Sequence, residues 1–278
     1  MTVQENIYEV QELWPGLYRI GNSSVYMDLI VGSHHALLFD TGYGYGDLYQ
    51  LVRELTDKPL YVVNSHGHVD HASGNEAFGG AYIHPLDMQL CREHNGSDFR
   101  MAELDLAQVP PDFDMAAYLR LGTGNLYPVE EGYCFDLGGI NCNVVHLPGH
   151  TAGSIGLWCP EIRLLYVGDA MNDFFWLFLP ESRGLNTYIR TLHKAAELPF
   201  THMIQSHVPV PVPKKKLWDY LDLAEHLDFS SGRSVPAPGG YDGDVRICTR
   251  LGLHHDDRTH PGFAAIMISD EKFKNRLH

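Results

Sequence analysis

The chain has 278 residues and a formal net charge of -15, from 35 acidic and 20 basic residues. A hydrophobic share of 44% and a charged share of 20% are those of a globular protein that buries a core, which excludes global disorder. The negative field repels phosphate backbones, so no nucleic-acid partner is expected, and no apolar run approaches the roughly 20 residues that span a bilayer.

Met1 to Gln11 is polar and acidic, without a basic-then-apolar leader. The expectation is a cytoplasmic protein with no membrane partner, acting on a small-molecule substrate. A homodimer is the expected state if the chain assembles, being the commonest form of soluble oligomer. The five cysteines are odd in number and lack a CxxC pair, so they read as buried free thiols rather than a disulfide scaffold.

In chain order, the first segment alternates short strands and turns. Leu17–Ile20, Val25–Val31 and His35–Phe39 are apolar runs bounded by Gly21, Gly32 and Asp40. Asp47–Leu55 places Leu48, Leu51, Val52 and Leu55 at helical spacing. Leu60–Val63 is a short buried strand running into Asn64-Ser65-His66. Ala81–Ile83 reads as a strand and Leu86–Glu93 as a helix. Residues 95–129 have no clean periodicity and contain Pro110-Pro111, which suggests a lid or specificity insertion. Strand signals return at Asn141–Leu147, Ser154–Trp158, Leu164–Val167 and Met203–Gln205. Asn186–Leu198 and Lys214–Leu227 read as helices, the second started by Pro213. The tail over residues 230–278 carries two strand-like runs, Val245–Thr249 and Phe263–Ile268, and reads as an extension near the site. Strands followed by helices, twice over, predict two packed sheets covered by helices in one domain spanning 1–278.

The strongest local feature is His66-Gly67-His68-Val69-Asp70-His71, four potential ligands in six residues at the end of a buried strand. Imidazole and carboxylate are ligand types that zinc and iron accept. In a turn, His66 and His68 can point at one ion while Asp70 and His71 face a second. Isolated candidates follow at strand ends: His150 after Pro148-Gly149, Asp169 after Val167-Gly168, and His207 after Gln205-Ser206.

Other features divide between plain and functional readings. Phe174-Phe175-Trp176-Leu177-Phe178 either walls an apolar pocket or packs under the next helix. Lys214-Lys215-Lys216 reads first as a solvated charge run, with an anion-facing role as its alternative. His254-His255-Asp256-Asp257-Arg258-Thr259-His260 reads as a polar hairpin loop, or as a segment reaching the mouth of the site. His84, before Pro85, reads as structural.

Asp40 in its Asp-Thr-Gly turn, His66/His68/Asp70/His71, His150, Asp169 and His207 together resemble the motif series of the metallo-β-lactamase superfamily, in family order and over about three-fifths of the chain. The resemblance implies an α/β fold, a four-layer αββα sandwich with metals at one edge of the two sheets. It implies that His66, His68 and His150 hold one ion, that Asp70, His71 and His207 hold another, that Asp169 bridges them and that Asp40 steadies the ligands. Two divalent ions are implied, zinc first, with iron or manganese as alternatives. They would make a hydroxide that cleaves a lactone, thioester or phosphodiester, with Asp70 as the catalytic proton carrier. An aspartate at position 169 resembles the glyoxalase II, lactonase and phosphodiesterase branches, whereas zinc β-lactamases lack it. The similar persulfide dioxygenases supply an alternative, one iron on His66, His150 and Asp169. A metal-binding protein with little turnover is a further alternative.

Overall fold

The computed structural model describes residues 7–22, 24–105, 109–110, 112–238, 241–250 and 253–274. The start of the chain, on which the absence of a leader was read, lies outside them as far as Asn6.

Seven strands make the first sheet, in sequence order: β1 (Glu9–Trp14), β2 (Leu17–Asn22), β3 (Val25–Val31), β4 (Ala36–Phe39), β5 (Leu60–Val63), β6 (Gly80–Ile83) and β7 (Asn125–Pro128). The pairs from β1 to β4 are antiparallel and those from β4 to β7 parallel. Parallel neighbours need crossovers. Helix α1 (Leu48–Leu55) joins β4 to β5, started by Asp47, whose carboxylate accepts from the Gln50 N–H at 2.8 Å. Four short helices follow, α2 (Val69–Ala72), α3 (Met88–His94), α4 (Ser97–Ala102) and α5 (Met115–Tyr118).

The second sheet takes β8 (Cys134–Asp136), β9 (Asn141–His146), β10 (Ile155–Cys159) and β11 (Leu164–Gly168). After it β12 (Phe174–Leu177) departs, and β13 (His202–Gln205) and β14 (Val212–Pro213) complete the sheet beside β11. Leu37, Phe39 and Val63 of the first sheet meet Val144, Leu157, Leu164 and Ile204 of the second in one buried cluster. Each such side chain contributes about 1.5–3 kcal/mol on burial. Leu48, Leu51 and Val52 of α1 cover the outer face of the first sheet. Helices α6 (Leu185–Glu197) and α7 (Leu217–Glu225) cover the second, through Tyr188, Leu192, Tyr220 and Leu221. The four layers are therefore helix, sheet, sheet, helix, as expected.

Two expectations are corrected and one element is added. The two sheets are joined by a third: β12 pairs in parallel with β17 (Ala265–Ile268), and β15 (Arg233–Pro236) and β16 (Asp244–Thr249) extend it in the order β12-β17-β16-β15, with α8 (Asp270–Lys274) closing the described chain. The segment 95–129 is not irregular throughout, since α4, α5 and the edge strand β7 lie within it. Lys214-Lys215-Lys216 is solvated only at Lys215. Lys214 Nζ donates to the Ala196 and Leu198 carbonyls at 2.7 and 2.6 Å, and the buried Lys216 donates to Pro261 and Phe263 and pairs with Asp173 at 3.2 Å. Lys214 thereby satisfies bare carbonyls at the end of α6. His84 is structural, as read: its Nδ1 accepts from the Leu86 N–H and its ring stacks on His146.

Candidate metal centre

Asp40 follows β4, His66 to His71 follow β5, His150 lies between β9 and β10, Asp169 follows β11 and His207 follows β13. All open on one edge of the sandwich, and the structure brings every predicted ligand together. The turn after β11 is tight: Gly168 has φ 54°, and a Cβ there would stand 2.5 Å from that of Ser65.

The outer contacts of the five imidazoles decide which nitrogen each turns inward. His150 Nδ1 donates to the Trp176 carbonyl at 3.1 Å, His207 Nδ1 to the Ser24 carbonyl at 2.7 Å, and His71 Nδ1 to the buried Asp40 carboxylate at 2.8 Å. His68 Nε2 donates to Glu181 Oε1 at 2.7 Å. Ser65 Oγ donates to Asp40 Oδ2 at 2.8 Å, so it accepts from His66 Nδ1 at 2.9 Å. In the neutral rings each inward nitrogen is then a bare lone pair. His66 Nε2 and His150 Nε2 each lie 3.0 Å from His68 Nδ1, with no proton left to share between them.

The second group faces the same way. Asp70 Oδ2 lies 3.3 Å from His71 Nε2 and 3.5 Å from His207 Nε2. Asp169 Oδ2 lies 3.1 Å from His207, 3.6 Å from His71 and 3.8 Å from His150, within reach of both groups. Two buried atoms of this cluster, His71 Nε2 and Asp169 Oδ1, have no hydrogen-bond partner among the described residues. Converging lone pairs and carboxylates without donors are costly when buried, and cations resolve them. The donor set fits divalent metals: His66, His68 and His150 could hold one ion and Asp70, His71 and His207 a second, each group within 4.8 Å.

Titration follows the same geometry. Burial, then the neighbouring rings, drives His66 well below the usual imidazole value, and burial with His68 takes His150 down to about 4. Burial raises the Asp169 carboxyl, but His207 and His71 outweigh it and hold it well below the carboxylate range.

A cavity of about 530 Å³ opens over the cluster. Phe174 and Trp176 of β12 line it while Phe175 and Leu177 are buried beneath, so strand alternation assigns the aromatic segment to both readings at once. Both segments that were read as site-flanking reach it: Phe99 and Glu103 from 95–129, and Tyr241, Arg258 and Phe263 from the tail. Sequence reasoning missed Glu181, His94, Glu103 and Arg258 as site residues. His94 stacks between His68 (4.8 Å) and Phe99 (3.8 Å). Their joining contacts cross long stretches of chain, 113 residues between His68 and Glu181. Only Glu103 and Arg258 lay in segments whose pattern suggested the site mouth.

The sequence profile of the metallo-beta-lactamase superfamily matches residues 20–213. The chain belongs to this superfamily. The acyl-coenzyme A thioesterase MBLAC2 of Homo sapiens is 26% identical over 221 residues, 74% of this chain and 77% of that protein. The uncharacterized protein Rv2581c of Mycobacterium tuberculosis is 32% identical over 127 residues, 43% of this chain and 53% of that protein. Among solved structures, the metallo-beta-lactamase from Pontibacter korlensis superposes with a TM-score of 0.57 at 17% identity, over 79% of this chain and 99% of that one. The sec-alkylsulfatase Pisa1 from Pseudomonas sp. gives 0.60 at 16%, over 79% of this chain and 42% of that one. These likenesses show the metallo-beta-lactamase fold, and membership of the superfamily implies divalent metal binding.

Proposed function

We propose that this chain is a metal-dependent hydrolase of acyl thioesters that works with two divalent ions, zinc first. The observation that carries the reading is the convergence of five imidazole lone pairs and two carboxylates under an aromatic-walled cavity. The thioesterase relative, aligned over most of both chains, supports the choice of thioester among the ester-type bonds. When bound, the ions supply Lewis acidity for the scissile carbonyl and lower the pKa of a water toward neutrality.

The chain's own residues do the rest. His66, His68 and His150 would hold one ion, Asp70, His71 and His207 the other, and Asp169 would join them. Asp70 Oδ2 faces His71 and His207. This leaves Oδ1 to take a proton from the attacking water and pass it to the leaving thiolate. Phe174, Trp176 and Phe99 would exclude water and lie along the acyl chain. The partner would be a small molecule, with no nucleic acid, no membrane and a homodimer as the expected assembly. A cytoplasmic location completes the reading. Among the described residues no helix is long and apolar enough to cross a membrane.

Elemental mass spectrometry on protein purified without an affinity metal is the first test, with release of free thiol from acyl thioesters as the second. Two zinc ions per chain and thiol release that a chelator abolishes are expected. Two ions without thiol release would sink the thioesterase reading. One iron per chain, with oxygen uptake on a persulfide, would replace it with the dioxygenase chemistry.

Glu181 gives a separate prediction. Its carboxylate, which its bond to His68 holds down at about 2 against the rise from burial, makes the His68 ring a stronger donor at Nδ1. Glu181→Gln is expected to weaken the first ion about 10- to 100-fold, read by competition with a chromophoric chelator. Wild-type affinity in that variant would show that the contact does not tune the metal.

A further inference from the structure

Among the described residues Arg258 is the only lysine or arginine that lines the cavity. Among the described residues it has no ion pair and no hydrogen bond to protein, although the chain carries 35 acidic residues. Its guanidinium lies over the Phe174 ring at 4.7 Å. Nearby cations are committed elsewhere: Arg250 pairs with Asp219 and Asp222, and Lys216 with Asp173. The acids beside Arg258 are committed too. Asp257 accepts from the His254 N–H at 2.6 Å and Asp256 pairs with His254 and His255 at 3.2 Å. Successive backbone bonds, Asp257 to His254, His260 to Asp257 and Phe263 to His260, hold the loop that carries it. A guanidinium held over an aromatic face still has N–H groups to offer, and their fork matches a carboxylate bidentately.

The cavity's other charges leave Arg258 as its uncompensated cation. Asp70 and Asp169 face the metal cluster, and Asp173 is matched by Lys216 and accepts from the Tyr220 hydroxyl at 2.8 Å. Glu103 also lines the cavity, and among the described residues it forms no ion pair with Arg258. Position places it beside the cluster: Trp176, whose carbonyl holds His150, and Phe174, under Arg258, stand two residues apart on one face of β12.

We propose that Arg258 binds a carboxylate on one arm of the substrate, so that the enzyme acts on anionic thioesters. This rests on the thioesterase reading above. The carboxylate could end the acyl arm or the thiol arm, and the shared chemistry is the same.

Three thioesters separate these cases: the adipyl and hexanoyl esters of N-acetylcysteamine, which differ only in a terminal carboxylate, and the hexanoyl ester of mercaptopropionate. Wild-type protein is expected to prefer one anionic ester over the neutral one in kcat/KM. In R258Q that preference should fall about tenfold or more, mostly through KM, with R258K intermediate because it keeps charge but loses the fork. The arm on which the preference falls locates the carboxylate. An unchanged preference in R258Q would overturn the proposal while leaving thioester hydrolysis standing. Hydrolysis of none of the three would remove the thioesterase reading instead. Calorimetric titration of adipate into metal-loaded wild-type and R258Q protein reads the anion site without turnover. Binding weakened about tenfold in R258Q supports it, and equal binding or none overturns it.

Discussion

Asp169→Asn is expected to reduce the bound metal from two ions per chain toward one and to lower thioester hydrolysis at least about 100-fold, beyond the 10- to 100-fold typical of losing an outer partner of a ligand. The substitution is nearly isosteric, so the fold should persist and the effect is electrostatic. Asp169 Oδ2 lies within 3.8 Å of inward nitrogens from both histidine groups, and Oδ1 is buried without a partner. An amide removes one of two negative charges available to four positive ones. It also turns an NH₂ toward nitrogens or ions that need an acceptor. Elemental analysis with steady-state kinetics reads both consequences. Two tightly held ions and full turnover in the variant would show that Asp169 joins nothing.

How much of this site could be seen in the sequence depends on how local each contact is. The His66-to-His71 run was legible because four candidate ligands fall within one turn after a buried strand, and the remaining candidates because each follows a recognisable strand end. The strands of the two main sheets were legible for the same reason: Val25–Val31 and Leu60–Val63 coincide with β3 and β5. The third sheet was legible only in part: β16 and β17 were read as strand-like runs, but their joining to β12 was not. The parallel pairing of β12 with β17 joins Phe174 to Ala265, and no periodicity in either segment encodes the other. A strand such as β15, Arg-Ser-Val-Pro and mostly exposed, carries too little apolar pattern to register. Glu181 and Arg258 fall in the same class. They reach the site through loops whose course is set by sheet packing, and a glutamate before a serine or an arginine in a polar run has no signature of its own. Lys214 was misread because charge alone does not reveal that the end of α6 offers carbonyls.

The other large effect is expected at Asp40, which touches no inward ligand atom yet fixes two of the rings. Its fully buried carboxylate accepts from the Ser65 N–H at 2.7 Å, the Ser65 hydroxyl at 2.8 Å and His71 Nδ1 at 2.8 Å, with its own backbone at φ 65°. Asp40→Ala strands buried donors at about 1–3 kcal/mol each, and a left-handed backbone adds about 1 kcal/mol. A net loss near 3 kcal/mol would lower Tm by about 6–12 °C, measurable by calorimetry of the metal-free protein. Asp40→Asn separates metal from stability, because asparagine tolerates the left-handed backbone and keeps one acceptor. With Oδ1 still accepting from Ser65, the amide nitrogen meets His71 Nδ1, and two donors cannot face each other. The ring then shifts its proton to Nε2 and loses the lone pair that the second ion needs. The Asn variant is therefore expected to melt within a few degrees of wild type yet hold about one ion per chain. If it held two ions at wild-type affinity, Asp40 would be a fold residue only, and the tautomer of His71 would have to be set elsewhere.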